Sequence, residues 1–379
     1  MSVTLQAIIM PKWGLAMDEG QVVAWHVEEG ARLGAGDEIL DIETTKITSA
    51  LESTSEGVLC RRVAVDGETL PIGALLGVIA EGAAETAEID TFIAGFHEDF
   101  SVAAAEAATQ AAIEPKFVEA AGWRLNYLRT GPSPGAEASD AAPIVLVHGF
   151  GGDSNNWLFN QADLAQSHCV YALDLPGHGR SSKDVGGGGL GVLSDALAAF
   201  LGALEIGRSH LCGHSLGGAV VLDLALRRPK MAASLTLISS AGLGPEINGS
   251  FIDGFIAANR RKEMKAMLAL LFAAPGAVSR DMVEELLRYK RLDGVEAALR
   301  GIAGAVFPGG RQAVVLAERL SELAQPVQVI HGREDWIVPP AQVEGLPANV
   351  AVTMIENAGH MPQMEASAEV NRLIRAIAV

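Results

Sequence analysis

Cysteine is scarce: Cys60, Cys169 and Cys212 are the only three in 379 residues. Their spacing matches no metal-ligand pattern and three thiols cannot all pair, which fits a reducing compartment. Long apolar runs are missing as well. None reaches the roughly 18 residues a membrane span requires, and no basic-then-apolar leader opens the chain. Basic residues are outnumbered, with 28 Lys and Arg against 46 Asp and Glu and a formal net charge of −18. Such acidity argues against a nucleic-acid backbone or an anionic membrane as the main partner. The expectation is a cytoplasmic protein with neither kind of partner. What the chain does have is apolar substance: 49% of its residues are hydrophobic and 20% charged. That is enough for large buried cores and speaks against global disorder.

The acidity is uneven. Residues 1–82 hold thirteen acids and five bases, residues 83–115 seven acids and no base, and residues 116–379 26 acids and 23 bases. A base-free, Ala/Glu-rich stretch between two differently composed regions reads as a linker. We therefore expect a first domain over residues 1–80, an acidic linker over 81–115 and a large domain over 116–379.

The first region repeats itself. Shifted by 37 positions, Glu19-Gly20 falls on Glu56-Gly57, Gly30 on Gly67, Leu33 on Leu70 and Gly36 on Gly73. Alternating runs before acidic-Gly turns read as short antiparallel strands. Two such halves predict a small all-β domain, a flattened barrel or sandwich with an internal two-fold. Between them lies Asp41-Ile-Glu-Thr-Thr-Lys46-Ile-Thr-Ser-Ala-Leu51. Its β-branched residues predict two strands with Lys46 at or near the tip of their hairpin. An isolated lysine is usually just an exposed surface residue, but this one sits at the centre of the two-fold. Residues 3–80, with Pro11 and the glycine at each acidic turn, resemble the lipoyl domain of 2-oxoacid-dehydrogenase-type acyltransferases. Biotin domains carry Met on both sides of the lysine, and Thr45 and Ile47 do not fit that pattern. The resemblance implies lipoate attached covalently to Lys46, an arm that accepts an acyl group in one site and presents it in another.

In the linker, Ile89, Phe92, Ile93 and Phe96 are spaced i, i+3, i+4, i+7, one stripe of a short amphipathic helix with Thr86 as N-cap. It would pack on the large domain or dock a partner enzyme.

From Pro115 onward, strand-like and helix-like segments alternate. Residues 117–121 and 124–129 read as an antiparallel pair, followed by short apolar strands near 144–147, 169–174, 210–212, 235–239, 327–331 and 350–355. This predicts a parallel sheet covered on both faces. Residues from about 243 to 320 contain no convincing strand and read as a helical cap. After the strand near 210–212 comes Gly213-His-Ser215-Leu-Gly217, the G-x-S-x-G pattern of a strained strand-to-helix turn that exposes a serine. Alone the pattern is weak. Here a strand leads in and an apolar helix, stopped by Pro229, follows. Asp335 and His360 each fall just past the end of a predicted strand, where an α/β sheet places its chemistry. His148-Gly149-Phe150-Gly151-Gly152 follows another strand, so the amides of Phe150 and Leu216 can form an oxyanion hole. Competing histidines are His148, His178, His214 and His331, of which His214 is expected to point away from Ser215. With Asp174-Leu-Pro-Gly-His-Gly-Arg-Ser, these motifs closely resemble the α/β-hydrolase family over about residues 116–379.

Lipoyl-bearing acyltransferases usually end in a catalytic domain marked by H-x-x-x-D-G, a string this sequence lacks. The whole chain instead looks like the dihydrolipoamide acetyltransferases of acetoin dehydrogenase systems. That resemblance implies a thiamine-diphosphate-dependent enzyme that cleaves acetoin and acetylates the arm, and the flavoprotein dihydrolipoamide dehydrogenase that reoxidises it. It also implies an oligomer and CoA as co-substrate. The expected chemistry is ping-pong acetyl transfer through Ser215, His360 and Asp335. Thioester hydrolysis and an inert carrier-scaffold are the alternatives. Arg260, Arg261, Lys262 and Lys265 either meet CoA phosphates or form a solvated helix face.

Overall fold

In the computed structural model the described residues are 5–11, 19–43, 48–53, 55–82, 84–111, 113–132 and 141–378. They fall into two units, Met1–Thr109 and Gln110–Val379. The first contains β1 (Leu5–Ile9), β2 (Glu19–Trp25), β3 (Arg32–Leu33), β4 (Glu38–Glu43), β5 (Thr48–Glu52), β6 (Gly57–Arg62), β7 (Thr69–Pro71) and β8 (Leu75–Ala80). They form two four-stranded sheets, β1-β8-β6-β3 and β5-β4-β2-β7. The 37-residue repeat explains this order: β2, β3 and β4 recur as β6, β7 and β8. Each half lends its short strand to the edge of the other half's sheet. The matched turn glycines share a backbone state, with φ of +92° at Gly30 and +86° at Gly67, and +92° at Gly36 and +82° at Gly73. A left-handed φ favours glycine, so the acidic-Gly repeat is a constraint on the turns. Val22, Leu40, Ile42, Leu59, Leu76 and Ile79 pack together inside the two sheets.

The linker stripe belongs to α1 (Thr86–Ala111), 26 residues long, where the sequence predicted only a short helix. Within the first unit, Ile89 is buried, Asp90 pairs with Arg61 at 3.1 Å, and Phe100 packs against the core of the two sheets. Phe96 stacks on Phe100 with ring centroids 6.4 Å apart. Phe100, one turn beyond the stripe named in the sequence, thus packs on the small β unit, a contact absent from the sequence reading.

The second unit is built on an eight-stranded sheet, ordered β16-β15-β14-β13-β11-β12-β10-β9. These are β9 (Lys116–Ala120), β10 (Trp123–Thr130), β11 (Ile144–Val147), β12 (Val170–Leu173), β13 (Ser209–His214), β14 (Ala232–Ile238), β15 (Val327–Gly332) and β16 (Val350–Ile355). β9 and β10 pair antiparallel, β10 meets β12 antiparallel, and the remaining neighbours are parallel. Strand alternation divides the core in two. Val145, Val147, Leu235 and Leu237 face one side, with the helices α3 (Leu190–Ala203) and α4 (Leu216–Arg227). Ile144, Leu146 and Ile330 face the other, with Leu164 of α2 (Leu158–Leu164) and residues Val370 and Ile374 near the C-terminus. Between β14 and β15 the described residues hold four α-helices and no strand: α5 (Gly249–Ala257), α6 (Arg261–Ala269), α7 (Arg280–Lys290) and α8 (Val295–Val306). The chain closes with α9 (Pro362–Glu365) and α10 (Ser367–Ile377). Among the described residues no helix is long and apolar enough to cross a membrane.

Candidate active site

Ser215 sits between β13 and α4 at φ +52°, ψ −118°. A non-glycine residue there costs roughly 1–3 kcal/mol, so its surroundings must hold it. Its N–H donates to Ile238 O at 2.9 Å, and its carbonyl accepts from Gly218 N at 2.9 Å and Ala241 N at 3.0 Å. The flanking glycines are dictated by space. A Cβ on Gly213 would fall on the carbonyl of Gly217, and one on Gly217 on the carbonyl of Val147. Gly218 is equally tight against the Ser240 hydroxyl. The pattern G-x-S-x-G-G is therefore a packing requirement of this turn.

Asp335 follows β15 and His360 follows β16, and adjacency of those strands brings them together. His360 Nδ1 lies 2.8 Å from Asp335 Oδ2. Asp335 Oδ1 accepts from the amides of Ile337 at 2.8 Å and Val338 at 3.0 Å. Burial pushes this carboxyl up, but the charge of His360 and hydrogen bonds from His331 and His360 outweigh it. The net effect holds it well below the usual carboxylate range. Held ionised, it fixes the Nδ1–H tautomer and leaves Nε2 of His360 as the proton acceptor.

The other histidines have different work. His331 Nε2 lies 3.0 Å from Val338 O and 3.2 Å from Asp335 Oδ2, bracing the acid. His148 accepts the Leu175 amide on Nε2 at 3.0 Å and contacts Gly149 O through Nδ1, securing the loop after β11. His178 stacks edge-on against His148, and burial lowers the pKa of both rings. His214 has a role that the sequence did not indicate. Its ring lines the same cavity as Ser215 and packs 4.8 Å from the His360 ring. Its Nε2–H donates to His360 O at 2.7 Å, so it anchors the backbone that carries His360. Burial, then the His360 charge, lowers its pKa to about 3, which keeps the ring neutral. Its position one residue before the serine, at the end of a buried strand, was the signal available.

Ser215, His214 and His360 open into one cavity of ≈ 230 Å³, together with Phe150 and the glycines around it. Leu216 is the first residue of α4, where a backbone N–H has no partner within the helix. Gly149 passes so close to His214 and Ser215 that a Cβ there would meet His214 Nδ1 at 2.9 Å. The loop bearing Phe150 is thereby held against the serine turn. Cap residues Phe251, Phe255, Leu268, Leu271, Phe272 and Leu286 supply the apolar wall. Met264 of α6 is buried and does not line the cavity. The cap is tied to the histidine loop: His360 N donates to Leu271 O at 2.8 Å, and Glu365 accepts from Ala273 N and Gly359 N, both at 2.8 Å. Sequence reading missed Glu365, because no pattern links it to residues about ninety positions away. Of the α6 cations, Arg261 pairs with Glu284 at 2.9 Å, while Arg260, Lys262 and Lys265 are exposed.

Lys46 lies outside the described residues. Its strands do not: β4 and β5 pair antiparallel with Glu43 opposite Thr48, leaving residues 44–47 to join them. Among the described residues no group of three or more His, Cys, Asp or Glu could hold a metal.

Comparison with known proteins adds relatives to this geometry. Residues 142–367 match the family described as alpha/beta hydrolase fold, and residues 6–79 match that described as biotin-requiring enzyme. A Pseudomonas putida protein named dihydrolipoyllysine-residue acetyltransferase component of acetoin cleaving system is 45% identical over 372 residues, covering 98% of each chain. The Cupriavidus necator protein of the same name is 42% identical, covering 99% of this chain and 97% of that one. A meta-cleavage product hydrolase from Pseudomonas fluorescens shares the fold with TM-score 0.62 at 22% identity, over 70% of this chain and 97% of its own.

Proposed function

We propose, for a chain that belongs to the dihydrolipoyllysine-residue acetyltransferase components of acetoin-cleaving systems, acetyl transfer from a lipoyl thioester to CoA. The observation that carries the mechanism is the buried His360–Asp335 pair, 2.8 Å apart, opening with Ser215 into one capped cavity. His360 Nε2 removes the Ser215 proton, and Ser215 Oγ forms the ester bond to the acetyl carbon. The amides of Phe150 and Leu216 hold the oxyanion, and His360 returns the proton to the departing sulfur. His360 then takes the proton of the CoA thiol, which attacks the acetyl-serine and frees Ser215.

Lipoate on Lys46 supplies the thioester and the reach. The Glu43–Thr48 pairing supports that attachment, since Lys46 is one of the four residues that join two paired strands. As one component of a multienzyme system, the chain works with a thiamine-diphosphate-dependent acetoin-cleaving enzyme, dihydrolipoamide dehydrogenase and further copies of itself. Transfer in place of hydrolysis is favoured by the wall of Leu268, Leu271 and Phe272, which keeps water scarce around the acyl group.

The test is product partitioning from S-acetyldihydrolipoamide with CoA varied. Acetyl-CoA should exceed acetate by about tenfold at saturating CoA, or about 1.4 kcal/mol between the barriers. Acetate dominating at every CoA concentration would make the protein a thioesterase. Trapped acetyl-Ser215 in wild type, absent in Ser215→Ala, tests the nucleophile.

A further inference from the structure

The cavity is larger than an acetyl group needs, so size alone does not select the acyl chain. Its charge is distinctive. Among the described residues the lining includes two carboxylates, Asp153 and Glu285, and no lysine or arginine. Its histidines offer little to an anion: His214 is neutral and His360 is engaged with Asp335. Glu285 is an exposed residue of α7, whereas Asp153 is half-buried in the loop after β11. Asp153 lies three residues beyond Phe150, so their Cα atoms are at most about 11 Å apart. Asp153 lines the same cavity as Phe150 and Ser215, through which the acyl group must pass. It accepts from Asn155 N at 2.9 Å. Burial, then the charge of Asp174, raises its pKa to about 6, which leaves it ionised at pH 8.

We propose that Asp153, with Glu285 beside it in the wall, selects acyl groups by charge. The site takes neutral acyl thioesters, acetyl and longer, and excludes those that end in a carboxylate. This rests on the reading that the acyl group passes through Ser215. An anionic acyl tail would enter a poorly solvated cavity with one or two like charges and no described lysine or arginine in its wall, which is discrimination by repulsion. A neutral chain of the same length meets only the apolar wall.

The experiment compares S-butyryl-, S-succinyl- and monomethyl-succinyl-dihydrolipoamide as donors to saturating CoA near pH 8. Butyryl and succinyl are alike in length and differ in charge, and the methyl ester removes the charge without touching the protein. Wild type should use butyryl, and the ester, at least about tenfold better in kcat/KM than succinyl. Asp153→Asn keeps an oxygen for the Asn155 amide and should raise the succinyl-to-butyryl ratio about fivefold or more. The ratio is read within each protein, so a general loss of activity does not disturb it. Equal use of succinyl and its ester by wild type overturns charge selection without any variant. An unchanged ratio in Asp153→Asn overturns the role of Asp153. Failure of the underlying reading looks different: acetyl transfer would then survive Ser215→Ala.

Discussion

Replacing Asp335 by Asn tests the site through a single atom. The carboxylate makes four acceptor contacts, with the Ile337 and Val338 amides on Oδ1 and with His360 and His331 on Oδ2. Asparagine has one acceptor oxygen and must choose. Turned toward the imidazoles, that oxygen would leave two buried N–H groups facing an NH2, at roughly 1–3 kcal/mol each. Turned toward the amides, it keeps both loop bonds and presents its NH2 to His360. His331 still has Val338 O, 3.0 Å away, as its acceptor. The second orientation wins, and the fold survives. His360 is then forced to accept on Nδ1 and carry its proton on Nε2, where it can no longer take the proton of Ser215. Serine-protease triads with this defect lose roughly 10³–10⁴ in kcat, or about 4–5.5 kcal/mol of barrier. The assay is acetyl transfer from S-acetyldihydrolipoamide to CoA, with thermal unfolding followed in parallel. A second signature concerns acid stability. The folded-state pKa of Asp335 is depressed, so its contribution is present above the ordinary carboxylate range and is lost only as pH falls through the depressed value. The stability gap between wild type and variant should therefore be flat near neutrality and close only in strong acid. A kcat within about tenfold of wild type, in a folded variant, would refute the tautomer argument.

Lys46→Arg should abolish the lipoyl mass adduct after coexpression with a lipoate ligase and spare transfer from free S-acetyldihydrolipoamide; an adduct that persists in the variant removes Lys46 from the mechanism. Gly217→Ala places a methyl on the Val147 carbonyl and should cost about 1–3 kcal/mol or more by overpacking, read as a fall in melting temperature. His214→Phe keeps the ring but removes the donor to His360 O, which should lower kcat roughly tenfold by loosening His360. Unchanged turnover in that variant would mean the bond merely packs. Glu365→Gln loses one of two carboxylate oxygens that join Gly359 to Ala273, so the cap should seal less well and the acetate fraction should rise; identical partitioning would uncouple the cap from that bridge.

The sequence by itself determined whatever depends on neighbours along the chain. The 37-residue repeat, the turn glycines and the eight large-unit strands follow from alternation and from residues with special φ, which act locally. Gly213, Ser215 and Gly217 were legible because one tight turn demands all three. Asp335 and His360 could be named because strand ends fix where an α/β sheet does chemistry. Tertiary structure decided what depends on which segments meet. Only the adjacency of β15 and β16 brings Asp335 to His360, and only packing of the cap reveals Glu365 as its bridge to the histidine loop. The α1 stripe predicted an apolar face but not the Phe100 contact with the two sheets, because amphipathic spacing specifies a need for burial and not the surface that supplies it. The bond made by His214 was illegible for a related reason. Alternation along β13 gives the direction of a side chain from its own strand, but not the carbonyl of His360 that a distant loop brings to meet it.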